Sequence, residues 1–237
     1  MSGTSATEMK SPDSGATMLR AMVGIGVLCA LMIVLTFEGT LPRIERNKAV
    51  ALEKAVFQVL PGAMNKETFE LDQGKISVLS GEVAKDAQLI YVGYDESGEL
   101  AGIAVEASGL GFADVIRILY GYDPANQKII GFHVLESKET PGLGDKIEKD
   151  PIFLENFKAL DVSLTENKSG LENAVVPVKK GSKKNPWEVD GITGATISSR
   201  AIGNIIGSST EKWIPLIYKS WKNSELIKQE KDKMKNG

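Results

Sequence analysis

An uncharged apolar run near the N-terminus constrains the fold of this 237-residue chain more than any other feature. Residues 21–37 read AMVGIGVLCALMIVLTF and contain no charged side chain. As an α-helix this run would be about 26 Å long, close to the roughly 30 Å hydrocarbon core of a bilayer. Met18 and Leu19 lengthen it, and Arg20 can extend its charge to the membrane interface. The pattern therefore predicts a transmembrane helix over residues 18–38.

A cleavable signal peptide is the alternative interpretation of this segment. The polar leader over residues 1–17 is long for a signal peptide, and no clear small-x-small cleavage site follows before Pro42. Cys29 follows Leu28, which fits a lipoprotein processing site poorly. We therefore expect a retained anchor that crosses the lipid bilayer once.

Basic residues flank the predicted helix on both sides, so its orientation is open. Two of them lie on its N-terminal side, Lys10 and Arg20, and four follow it: Arg43, Arg46, Lys48 and Lys54. A count of positive charges would keep the following domain in the cytoplasm. Long domains, however, are translocated largely regardless of charge, so the count does not decide the side.

The composition excludes several functional classes. The 28 basic and 31 acidic residues are mixed along the chain, with a net charge of −3, so no broad nucleic-acid-binding surface is indicated. The single cysteine, Cys29, excludes an intrachain disulfide, and the single histidine, His133, argues against a zinc site. Any chemistry must therefore use hydroxyls, carboxylates or a bound cofactor.

The residues after the anchor predict one α+β domain over 39–220, followed by a polar tail over 221–237. Residues 93–106 (GYDESGELAGIAVE) and 121–136 (GYDPANQKIIGFHVLE) both read Gly-Tyr-Asp, then a turn, then a strand. We therefore expect two similar strand-turn-strand units in one curved antiparallel sheet, with helices beside it.

Three further segments complete the predicted domain. Residues 43–60 have the pattern of an amphipathic helix that Pro61 and Gly62 stop. Residues 108–119 are expected to begin as a flexible loop and to end in a short helix. Residues 197–219 have a helical pattern that begins directly after a threonine.

The segment KETPGLGDK, residues 138–146, allows two interpretations. A Pro-Gly pair ending at Gly142 is typical of a type II turn, which predicts a tight loop. Glycines also permit a backbone to approach a flat ligand closely. In that case Glu139 and Thr140 would supply polar contacts, and Leu143 would supply an apolar one.

Thr196, at the end of the segment DGITGAT (190–196), also allows two interpretations. Threonine is a favoured helix N-cap, although a capping box would need Glu or Gln where Ser199 stands. Alternatively, the free N–H groups and positive dipole end of a helix would stabilise a phosphate esterified to the Thr196 oxygen, with Ser198 nearby. An unactivated threonine does not attack by itself, so it would be a substrate of another enzyme.

The same segment resembles a known modification signal. Residues 190–196 match the pattern Asp-x-x-Ser/Thr-Gly-Ala-Thr, at which a flavin transferase joins FMN to the last threonine through a phosphoester. Residues 11–17 (SPDSGAT) end similarly but begin with Ser11. The ETPGLG block lies about fifty residues upstream of the threonine, as in the same family. With its anchor, the chain resembles the G subunit of Rnf-type ion-translocating electron transport complexes.

The resemblance implies a covalent FMN on Thr196, with Asp190 in the recognition sequence. It also implies that Thr140 and Leu143 contact the isoalloxazine ring. The expected cofactor-binding residues are Thr196, Asp190, Thr193, Gly194, Ala195, Ser198, Glu139, Thr140, Gly142 and Leu143.

The resemblance further implies an electron-carrying subunit of a complex that couples electron transfer between ferredoxin and NAD to ion translocation. Its partners would be other membrane and iron–sulfur subunits and the flavin transferase, and it would have no metal and no complete catalytic site of its own. Residues 1–17 would be cytoplasmic, and the domain would lie on the extracytoplasmic side of the bacterial inner membrane. Two alternatives are the related C subunit of the sodium-pumping NADH:quinone reductase and a membrane-tethered scaffold in which Thr196 merely caps a helix.

Overall fold

The computed structural model describes residues 15–72, 75–78 and 88–235, so most of the predicted leader lies outside the described residues. The chain divides into two units, one ending at Val50 and the other beginning at Ala51. The helices are α1 (Gly15–Val59), α2 (Lys146–Lys149), α3 (Pro151–Glu155) and α4 (Thr196–Lys235). The strands are β1 (Asn65–Asp72), β2 (Lys75–Val78), β3 (Gln88–Tyr94), β4 (Leu100–Leu110), β5 (Val115–Asp123), β6 (Lys128–Glu136), β7 (Leu160–Asp161), β8 (Val176–Val178) and β9 (Glu188–Asp190).

Helix α1 contains both the predicted transmembrane segment and the predicted amphipathic helix. Side chains over 15–40 are exposed, and the helix is long and apolar enough to cross a membrane. The helix ends at Val59, next to the expected stop signal. There the Ala63 amide donates to the Leu60 carbonyl over 3.1 Å, and Gly62 has a φ of 90°. This is the geometry of a turn that carries proline and then glycine at its centre.

The second unit is built on a seven-stranded antiparallel sheet in the order β2-β1-β3-β4-β5-β6-β7. The two predicted strand-turn-strand units are the β3–β4 and β5–β6 hairpins, and both predictions are confirmed. Strands β8 and β9 form a separate parallel pair, which the sequence patterns did not predict.

The prediction for residues 108–119 was wrong. Strand β4 continues to Leu110, and β5 begins at Val115, so a strand occupies the place of the expected short helix. The spacing of apolar residues in this segment suits either a helix or a strand. Pairing with residues 103–110 of β4 decides in favour of the strand, because it places Ile116, Ile118 and Tyr120 on one face, in the core.

Both faces of the sheet are covered. One face packs in a core that includes Ile202 and Ile206 of α4. The other face packs against the end of α1, where a Cβ on Gly121 would collide with the carbonyl oxygen of Val59. Glycine at position 121 therefore allows the helix backbone to approach the sheet directly, which fixes the sheet between two layers of helix.

Helix α4 begins at Thr196, as the sequence pattern indicated, and continues to Lys235. Residues 221–235, assigned from the sequence to a polar tail, thus belong to the same helix. Strand β9 ends at Asp190. The DGITGAT segment is therefore the connection from the β8–β9 pair to the first turn of α4.

Candidate functional site

Thr196 is the first residue of α4, and its side chain is exposed. The Ala195 carbonyl accepts the first bond of the helix, from the Ser199 amide over 2.9 Å. The Thr196 hydroxyl makes no hydrogen bond with any residue in the described part of the chain. The interpretation of Thr196 as a helix N-cap is therefore wrong: Ala195 occupies that position, and the threonine hydroxyl is free.

The first turn of α4 leaves backbone donors without acceptors. Among the described residues, the amides of Thr196, Ile197 and Ser198 donate to no other group, and the first bonded amide is that of Ser199. Free amides and the positive end of the helix dipole together attract an anion. An anion attached to the Thr196 oxygen would lie among these donors.

The turn before Thr196 buries one residue of the motif and exposes two others. The Ala195 amide donates to the Ile192 carbonyl over 3.2 Å, and Gly194 has a φ of 83°, a conformation that favours glycine. The Ala195 side chain is buried in the core, whereas Thr193 and Gly194 are exposed. The turn therefore anchors the helix through Ala195 and leaves the approach to Thr196 open.

The carboxylate of Asp190 has a structural contact that the sequence did not predict. It accepts hydrogen bonds from the amides of Gly181, over 2.8 Å, and of Ser182, over 3.3 Å. These residues belong to the loop KKGSKK over 179–184. Asp190 lies at the end of a strand and not in a free loop, and its carboxylate fixes the neighbouring loop.

Asn156 holds the backbone of Asp190 from the other side, and sequence reasoning missed it. Its side-chain amide donates to the Asp190 carbonyl over 3.1 Å, and its side-chain oxygen accepts from the Asp190 amide over 3.0 Å. The same oxygen accepts from the Lys183 ammonium over 3.2 Å. Burial lowers the pKa of Lys183 from its ordinary value. A lone asparagine far along the chain carries no sequence signal for this role.

The 138–146 segment forms the predicted turn. The Leu143 amide donates to the Thr140 carbonyl over 3.1 Å, and Gly142 has a φ of 79°. Asp145 accepts from the Gly142 amide over 2.7 Å and so braces the turn. Thr140 and Leu143 are both exposed, so the turn presents a hydroxyl and an isobutyl group to its surroundings.

Glu139 joins this turn to the rest of the site. The residue is only 6% exposed. One carboxylate oxygen accepts from the amides of Phe112, over 2.7 Å, and Ala113, over 3.0 Å. The other accepts from the Ser198 hydroxyl over 2.5 Å. Three chain segments distant in sequence therefore meet at one buried carboxylate.

The hydrogen bonds to Glu139 also fix its charge. Burial raises the pKa of a carboxyl group, but the bonds from Ser198, Ala113 and Phe112 favour the ionised form more strongly. The pKa of Glu139 is consequently below its ordinary value. Glu139 is thus a negatively charged support for the segments around it, and its oxygens are already occupied by protein donors.

Apolar side chains are exposed on the segments that Glu139 joins. Phe112 is 64% exposed, and Leu110, Leu143 and Ile197 are also more than half exposed. Phe112 and Ile197 are missing from the residues predicted for the site. The sequence showed only a glycine-rich stretch around Phe112. Exposed apolar side chains around a few polar groups are typical of a site for an organic ligand.

Comparison with known proteins relates this geometry to a family. The FMN-binding domain family matches residues 111–210, which include both the 138–146 turn and the DGITGAT segment. The G subunit of the ion-translocating oxidoreductase complex of Methanosarcina acetivorans is 32% identical over 196 residues, which cover 80% of this chain and 89% of the relative. The chain belongs to this G-subunit family.

A second relative agrees with this assignment, and a solved structure has the same fold. The G subunit of the Na⁺-translocating ferredoxin:NAD⁺ oxidoreductase complex of Acetobacterium woodii is 30% identical over 190 residues, covering 79% of this chain and 86% of the relative. The crystal structure of Shewanella oneidensis NqrC superposes with a TM-score of 0.59 at 20% identity, covering 75% of this chain and 99% of that chain. At that identity the structural likeness shows the fold alone.

The structure brings together most of the residues predicted to bind the cofactor. Ser198 and Glu139 are bonded directly, and Thr196 lies two residues from Ser198. The turn at 138–146 is adjacent, because a Cβ on Gly144 would lie 3.0 Å from the Ser198 hydroxyl. Asp190 is not part of this cluster of contacts, because its carboxylate accepts hydrogen bonds from the loop at 179–184.

Proposed function

We propose that this chain is the electron-carrying subunit of an ion-translocating oxidoreductase complex, with FMN joined to Thr196 through a phosphoester. The complex would couple electron transfer between ferredoxin and NAD to ion translocation. Family membership supports the complex, and the name of the Acetobacterium woodii relative supports the electron donor and acceptor. The FMN-binding domain match supports the cofactor.

The proposal of a covalent attachment rests on one observation: the hydroxyl of Thr196 is free and lies among free backbone amides. The hydroxyl is exposed and makes no hydrogen bond with a described residue. The amides of Ile197 and Ser198 can donate hydrogen bonds to phosphate oxygens. No described residue forms a hydrogen bond with the hydroxyl that could activate it. Attachment therefore requires a separate flavin transferase, for which Thr196 is the substrate.

The exposed apolar side chains near Thr196 suit contact with the flavin ring. Leu143, Phe112 and Ile197 would pack against the isoalloxazine, and the Thr140 hydroxyl would supply a hydrogen bond. Bound FMN supplies the capacity to accept and donate electrons, while the protein supplies position and electrostatics. Residues of this chain thus orient the ring and limit its contact with water, and the chain has no complete catalytic site of its own.

Helix α1 supports a membrane location for this chain. Its exposed apolar segment would anchor the chain in the cytoplasmic membrane, and the FMN-binding domain would lie on the extracytoplasmic side. Other membrane and iron–sulfur subunits of the complex would be its partners. Electrons would then reach the domain from those subunits through its flavin.

The test is co-expression of the full-length chain with a flavin transferase, followed by a denaturing gel. A fluorescent band is expected for the wild type and for Thr193→Ala, and none for Thr196→Ala. Mass spectrometry should locate the adduct on the peptide that contains Thr196. An adduct on Thr193 or Thr17, or a wild-type chain without flavin, would refute the proposal and favour a scaffold without redox function.

The alternative function is the C subunit of a sodium-translocating NADH:quinone reductase, because NqrC has the same fold. Purification of the complex from its native membrane separates the two candidates. Co-purification of ferredoxin-oxidising activity supports the first function, and quinone reduction by NADH supports the second.

A further inference from the structure

Lys146 lies beside the motif that carries Thr196, although fifty residues separate the two in sequence. Its Nζ atom is 3.8 Å from the point where a Cβ on Gly194 would stand. Gly194 is two residues before Thr196, a span of at most about 7 Å. A lysine side chain has four rotatable carbons, so its ammonium can reach an anion held on Thr196.

The ammonium of Lys146 makes no hydrogen bond or ion pair with any described residue. Other lysines nearby are paired: Lys149 bonds Asp145 over 2.6 Å, and Lys138 bonds Asp114 over 2.5 Å. Two acidic groups near Lys146 in the sequence already bond other groups, although Asp145 also interacts electrostatically with Lys146. Asp145 also accepts from the Gly142 amide, and Glu139 accepts from three protein donors.

We propose that Lys146 is the counter-ion of the phosphate that joins FMN to Thr196. This inference rests on the proposed function and adds to it a residue and a charge. The phosphodiester would carry one negative charge, with the free amides of α4 on one side and the Lys146 ammonium on the other. Hydrogen bonds between an ammonium and a phosphate are among the stronger ones in proteins.

The ion pair between Lys146 and the phosphate would also hold the neighbouring turn in place. Lys146 follows directly on the turn that presents Thr140 and Leu143. Pairing with the phosphate would tie that turn to the start of α4, in addition to the link through Glu139 and Ser198. Lys146 would thereby be a positioning residue that sets where the flavin ring lies against the turn.

The first measurement is lysine reactivity in the wild-type, full-length protein in detergent. Flavinylated and unflavinylated protein are treated with limiting acylating reagent, and modified peptides are quantified by mass spectrometry. We expect acylation of Lys146 to become several-fold slower on flavinylation. Lys149 is the matched control, because its bond to Asp145 is independent of flavin, and its rate should not change.

The second measurement separates an ion pair from simple shielding by the flavin. The ³¹P resonance of the phosphodiester is recorded in flavinylated wild type, K146Q, K146R and K149Q. We expect a shifted resonance in K146Q, and a resonance near that of the wild type in K146R and K149Q.

Two outcomes would overturn the inference. Equal acylation of Lys146 with and without flavin would show that its ammonium does not meet the phosphate. Protection of Lys146 with an unchanged ³¹P resonance in K146Q would show that the ring merely covers it. Absence of flavin from the Thr196 peptide is a different result, because it refutes the proposed function and, with it, this ion pair.

Discussion

Replacing Glu139 with alanine is expected to destabilise the domain by removing the carboxylate at which three segments meet. Two amides and one hydroxyl lose their acceptor. Each hydrogen bond to a charged group contributes about 1.5–3 kcal/mol. The amides of Phe112 and Ala113 belong to exposed residues and can bind water instead, whereas Ser198 is buried. We therefore expect a loss of about 2–4 kcal/mol in the free energy of unfolding.

Glu139→Gln is the matched control, because its side-chain amide keeps the shape of the carboxyl group. Its oxygen can still accept from Phe112 and Ala113, and its nitrogen can donate to Ser198. Only the negative charge is lost, so the destabilisation should be about 1 kcal/mol, clearly smaller than for alanine.

The pH dependence distinguishes the charge from the packing. The folded-state pKa of Glu139 lies below its ordinary value of 4.5, so the unfolded chain binds more protons between those two values. The contribution of the charge is present above about pH 4.5 and decreases as the pH falls towards the folded-state pKa. The difference in stability between wild type and Glu139→Gln should therefore shrink as the solution is acidified.

The assay is chemical denaturation of the full-length protein in detergent, followed by circular dichroism at several pH values. A loss below about 0.5 kcal/mol for Glu139→Ala, typical of an ordinary surface position, would refute the reasoning. A Glu139→Gln variant as unstable as Glu139→Ala at all pH values would also refute it, because glutamine keeps both the shape and the hydrogen-bonding groups of the side chain.

Two further predictions concern the motif and the turn. Asp190→Ala should abolish flavin attachment and lower the free energy of unfolding by only about 1 kcal/mol, because the two loop amides that lose their acceptor are exposed and can bind water instead. Ser182→Ala is the control, because it keeps the backbone amide and should change neither the gel fluorescence nor the denaturation midpoint. Normal flavinylation of Asp190→Ala would show that Asp190 is not needed for flavin attachment. Gly142→Val should keep its flavin but change the midpoint potential, because holding valine at a φ of 79° costs about 1–3 kcal/mol and displaces the turn. Gly142→Asn tolerates that φ and is the control in the spectroelectrochemical titration; equal potentials in all three proteins would show that the turn does not border the ring.

The sequence by itself determined the features whose signals are local. Seventeen uncharged residues fix an apolar helix, because a bilayer-length run of apolar side chains has few other stable conformations. Pro61 and Gly62 mark the end of α1, since proline and glycine set backbone angles directly. The repeated Gly-Tyr-Asp segments located both hairpins. The DGITGAT segment located the start of α4 and the threonine that the proposed function uses.

Tertiary structure decided what depends on neighbours that are distant in sequence. Residues 115–119 form a strand because the partner β4 is present, although their apolar spacing also suits a helix. The Asp190 carboxylate contacts a loop that no spacing rule connects to it. Glu139 and Lys146 meet the start of α4 only because the fold brings the turn at 138–146 against that helix. A hydrogen bond or ion pair between remote segments depends on their relative position, and packing of the sheet and helices sets that position.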